Sequence, residues 1–93
     1  MIIGVLKLSL YIPSSQSLKD KRMILNSFKQ KLRNNFNVSI TSLDDEDKWQ
    51  KEDLAVVCVG RDSRLVNQYL NEVVSFVEGI GSLELIDYKL ELI

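Results

Sequence analysis

The sequence predicts an α+β fold with the element order βαββαβ. Four stretches alternate apolar and polar residues, or run aliphatic, as strands do, and two carry apolar residues at helical spacing. Pro13, Gly60, Gly79 and Gly81 punctuate the chain where these periods change.

Residues 1–12 form the first expected strand. Leu6, Leu8, Leu10 and Ile12 fall on one face, and Lys7, Ser9 and Tyr11 on the other. Pro13 cannot donate to a ladder and ends it. Ser17, with Asp20 three residues on, reads as a helix N-cap box with Asp in place of Glu. The helix it opens runs to about Asn35. Leu18, Leu25, Phe28 and Leu32 share one side, with Ile24 at its border. Asn34 and Asn35 suit the closing turn.

Residues 36–43 alternate again, with Phe36, Val38 and Ile40 against Asn37, Ser39 and Thr41, which predicts a second strand. Residues 44–53 are charged and turn-like apart from Trp49. Residues 54–59 are aliphatic on both faces, as a central strand is. Asp62 or Ser63 caps a second helix whose broad apolar face is Leu65, Val66, Tyr69, Leu70, Val73, Phe76, Val77 and Ile80. Residues 83–93 form the last strand, with Asp87, Lys89 and Glu91 alternating against Ile86, Tyr88, Leu90 and Leu92.

Two split βαβ units with right-handed crossovers make a ferredoxin-like sandwich: one four-stranded antiparallel sheet, order 4-1-3-2, with both helices on one face. All 93 residues fit a single domain. The uncovered sheet face should carry Val5, Lys7, Ser9 and Tyr11 beside Ala55, Val57 and Val59, an apolar centre with polar flanks. Such a patch predicts a homodimer formed through the open face.

Composition narrows the chemistry. The chain has no histidine and one cysteine, Cys58, which excludes the usual zinc sites and an internal disulfide. The acids of residues 44–47 lack the spacing and glycine of a calcium loop, so no metal is expected, and no cofactor. The apolar run at the start is too short for a membrane span and lacks a signal-peptide layout, which predicts a cytoplasmic protein without a membrane partner.

The net charge of −1 conceals a dipole. Residues 1–43 hold seven basic side chains against Asp20 alone, whereas residues 44–93 hold five against twelve acids. Fields of this kind bias which partners are met. Arg22, Asn26, Lys29 and Arg33, spaced four, three and four, form one stripe beside the core face of the first helix, with Lys19 at its side. At ~1.5 Å per residue the stripe is roughly 16 Å long, enough to follow several phosphates. These five residues are the candidate RNA contacts, set against the plainer reading of a solvated helix face.

Lys21 falls in the middle of the apolar sector of the same helix. It must either snorkel out or find a carboxylate. An anion held by Ser15, Ser17 and Lys21 at the helix start is the functional alternative. Trp49, alone in a charged segment, either folds over the core rim or anchors a partner. Two familiar uses of this topology lack their signature residues. The third strand has no aromatics for base stacking, and the loop after the first strand has no arginine to serve an acylphosphatase. No nucleophile, base and orienting group come together, so a non-enzymatic role is expected.

The segments Met1-Ile2-Ile3-Gly4-Val5-Leu6, Ser17-Leu18-Lys19-Asp20-Lys21-Arg22, Leu32-Arg33-Asn34-Asn35-Phe36-Asn37-Val38-Ser39 and Trp49-Gln50 resemble the YlxP-like family of small bacterial proteins. The likeness spans the whole chain in order and length. It implies a ferredoxin-like domain without established catalytic residues. Genes of the family often lie with those for a transcription termination factor, translation initiation factor 2 and a ribosome-binding factor. The resemblance therefore implies a role near translation or ribosome maturation, with RNA or a ribosomal particle as the partner. The chain departs from the family pattern at Glu52-Asp53, where relatives tend to be less acidic.

Overall fold

The structure, a computed structural model, describes residues 1–43 and 48–93. Its elements are β1 (Ile2–Tyr11), α1 (Leu18–Asn35), β2 (Ser39–Ser42), β3 (Lys51–Gly60), α2 (Ser63–Glu78) and β4 (Glu84–Leu92). The four strands form one open antiparallel sheet in the order β2-β3-β1-β4, the expected arrangement read from its other edge.

Alternation along the strands decides which side is covered. Leu6, Leu8 and Leu10 of β1 pair with Val56, Leu54 and Glu52 of β3, and these even-numbered positions face the helices. Leu25, Phe28 and Leu32 of α1 and Val66, Leu70, Val73 and Val77 of α2 close over them in a single hydrophobic cluster. Gly4 belongs to the same row. A Cβ there would lie 2.5 Å from Val66 Cγ1, so the bare backbone is what lets α2 approach β1. Asp62, not Ser63, caps α2, its carboxylate accepting from the Arg64 and Leu65 amides.

Two boundaries differ from expectation. β2 is confined to Ser39–Ser42, because Phe36 and Asn37 are drawn toward α2. The Phe36 ring meets Tyr69 and Phe76 edge-on at 5.5 Å, and the Asn37 amide donates to the Tyr69 hydroxyl at 2.6 Å. β3 starts at Lys51, three residues before the aliphatic run, so Lys51, Glu52 and Asp53 are strand residues where a turn was expected. Residues 44–47 of that expected turn lie outside the described residues.

Candidate nucleic-acid interface

α1 begins as its sequence dictates. Ser17 is extended, and its Oγ accepts from the Asp20 amide at 3.1 Å. The Asp20 carboxylate in turn accepts from the Gln16 amide at 3.1 Å. These bonds satisfy amides that the first helical turn leaves open.

Lys21 is sealed in. Its Nζ donates to the Lys48 carbonyl at 2.6 Å and lies 3.3 Å from Glu52 Oε1, with both side chains 2 % exposed. The carboxylate alternative therefore holds, and the snorkelling one does not. Glu52 reaches Lys21 because it sits in register with Leu10, on the helix side of the sheet. Ser15 is also buried. Its Oγ donates to the Ser17 carbonyl, and its own carbonyl accepts from the Gln50 side chain at 3.1 Å. The structure thus gathers Ser15, Ser17 and Lys21 around the helix start and engages each with the chain's own groups, with the Asp20 carboxylate beside them.

The basic stripe points elsewhere. Lys19, Arg22, Asn26 and Arg33 are exposed, and Lys29 is half-buried. Lys29 Nζ donates to Ser42 Oγ of β2 at 3.1 Å, and Arg22 makes an interaction of its own. Lys19 and Arg33 make no hydrogen bond or ion pair among the described residues. Between α1 and the β2–β3 edge lies a notch of about 60 Å3, with Arg22, Asn26 and Lys29 on one wall and Ser42 on the other. Lys21 and Glu52 form its floor. Arg22, Asn26 and Lys29 thus border a narrow cleft, which Leu18 and Leu25 also line, rather than a flat helix surface.

Trp49 stands 54 % exposed beside Lys48, Gln50 and Lys51, next in the chain to the carbonyl that Lys21 holds. Cys58 is buried, and burial raises its thiol above the ordinary range. Among the described residues, no three acids or thiols gather as metal ligands do, and no helix is long and apolar enough to cross a membrane.

Sequence reasoning missed Glu52. The signal was parity: Leu54, Val56 and Cys58 face the helices, and carrying that alternation two residues back places Glu52 under Lys21.

A family model described as Protein of unknown function (DUF503) matches residues 3–90. The chain is also similar to the uncharacterized protein YlxP of Bacillus subtilis, with 28 % identity over 83 residues, covering 89 % of this chain and 90 % of that protein.

Proposed function

Starting from the fact that the chain belongs to the DUF503 family of proteins of unknown function, we propose that it is a non-enzymatic accessory protein that contacts RNA through α1. The RNA is free or part of a ribosomal particle, the protein works in the cytoplasm, and the fold is a ferredoxin-like sandwich. The observation that carries this reading is the arrangement of Lys19, Arg22, Asn26, Lys29 and Arg33 along one flank of a helix, with Arg22, Asn26 and Lys29 bordering a cleft. Phosphate contacts need cations within reach of solvent, set at intervals along a line, and they need no base-stacking sheet. Trp49, half-exposed beside Lys48, Gln50 and Lys51, offers a flat apolar surface to a protein component of such a particle.

Fluorescence anisotropy with ribosomal RNA fragments tests the assignment. Binding should weaken as salt rises. The combined substitution of Arg22, Lys29 and Arg33 by alanine should weaken it at low salt as well. Equal binding by that triple variant, checked to be folded by circular dichroism, refutes the role of α1.

A further inference from the structure

β4 is the exposed edge of the sheet. Its nine residues have β1 on one side and, among the described residues, no strand on the other. The opposite edge, β2, spans four residues. Long edges invite pairing with another chain unless proline, bulges or charges blunt them. β4 contains no proline, and its single register shift lies near its start, where the partner of β1 steps from Asp87 to Leu85. Ile86, Tyr88 and Leu92 remain 40–56 % exposed along it.

Hydrogen-bond phase shows which groups face outward. Ile3 and Ile93 exchange both amide bonds, at 2.9 and 2.8 Å. In an antiparallel pair such exchanges recur at every second residue, so Lys89 and Glu91 also turn their backbone groups to β1, while Tyr88, Leu90 and Leu92 turn theirs to the edge. The Tyr88 amide agrees: it donates to its neighbour's side chain, Asp87 Oδ1, at 2.9 Å.

Charge points to the occupant. On the open face Lys89 lies directly opposite Lys7, and like charges in that position repel. Its neighbour on the same strand, Glu91, reaches it at 3.4 Å through well-exposed side chains. Among the described residues, no strand lies on the edge side of Lys89.

We infer that two copies of the chain pair antiparallel along β4, about a two-fold axis at Tyr88, into a continuous eight-stranded sheet. In this register each Tyr88 meets the other Tyr88 with its outward amide and carbonyl. Asp87 of each copy lies opposite Lys89 of the other, on the side away from Lys7. Ile86 lies opposite Leu90, apolar against apolar. Moving the axis to Lys89 sets Lys89 against itself and Asp87 against Glu91, and presents backbone groups already bonded to β1. Moving it to Leu90 leaves the first residues of the strand uncovered. The contact thus runs along the edge, not across the open face.

Sedimentation equilibrium of the intact chain at micromolar concentration should give twice the chain mass. Lys89→Asp removes the repulsion with Lys7, so the fold should survive. It also sets Asp87 against an acid across the axis, twice per dimer, and should raise the dissociation constant about tenfold or more. Adding Asp87→Lys to Lys89→Asp reverses both pairs and should restore affinity to within about threefold. Tyr88→Cys in a Cys58→Ala background should oxidise to a disulfide-linked dimer, because hydrogen-bonded opposite residues lie about 5.5 Å apart at Cα. A monomer at all concentrations overturns the inference. So does a dimer that ignores Lys89→Asp and does not cross-link through residue 88, which returns the contact to the open face.

Discussion

Lys21 Nζ and Glu52 Oε1 lie 3.3 Å apart under the first turn of α1, sealed from solvent. The contact is close enough for ion pairing but lacks hydrogen-bond geometry, and the hydrogen bond of the ammonium goes instead to the Lys48 carbonyl. The pair therefore ties three segments together: the start of α1, the start of β3 and the backbone before Trp49. Removing two charges from water costs several kcal/mol, and their attraction repays that only in good geometry.

Glu52→Leu leaves the Lys21 ammonium buried without its acid and should cost about 3–5 kcal/mol. Adding Lys21→Met removes the stranded charge, and the double variant should return to wild-type stability or exceed it by about 1–4 kcal/mol. Urea unfolding measures both. A double variant as unstable as the single one would show that Lys21 matters through its bond to Lys48, not through charge.

Gly4→Ala places a methyl 2.5 Å from Val66 Cγ1 and 2.6 Å from Leu70 Cδ1. α2 must yield, at a cost of about 1–3 kcal/mol. Gly81→Ala meets nothing within 4 Å, and no glycine has positive φ, so it should be neutral or stabilise by about 0.4–1 kcal/mol. Thermal melts of the two variants separate crowding from backbone entropy.

Burial raises the Cys58 thiol pKa, so less thiolate is present in the folded chain than for a free cysteine at the same pH. Alkylation of the native protein should therefore be slow near neutrality and accelerate only at a pH above that of a free thiol. Adding urea should abolish the difference. Rapid native labelling at neutral pH is the contrary result.

If Lys19, Arg22, Lys29 and Arg33 each meet one phosphate of single-stranded RNA, log affinity should fall against log salt with a slope of about −3. Replacing Arg22, Lys29 and Arg33 by alanine should leave a slope of about −0.7, one contact's worth. A slope unchanged by the triple substitution assigns the phosphates to other cations.

Element order and the core rows were legible because alternation in β1 and helical spacing in α1 and α2 are local signals. The start of β3 was not, for one physical reason. Lys51, Glu52 and Asp53 have the composition of a turn, and Glu52 is tolerated in the strand only because Lys21 stands over it. Lys21 on the apolar face was visible as an anomaly in the sequence, and its partner was not, since the two are brought together by tertiary packing. β2 was read too long for a similar reason. The pattern of residues 36–38 is strand-like, but Tyr69 and Phe76, distant in sequence, claim Phe36. In the basic stripe, spacing gave the line of cations, and the Lys29–Ser42 bond and the cleft beside it needed the sheet edge in place.

β1 is flanked along nearly its whole length by β3 on one side and β4 on the other. Neither neighbour is local: Ile2 pairs with Gly60, and Gly4 with Leu92. During synthesis β1 therefore has no ladder to join until β3 has been made, and its second flank waits for β4. Contacts this distant in sequence slow folding and prolong the exposure of aliphatic strand to other nascent chains. β1, made before both of the strands that flank it, is the strand that waits longest for shelter.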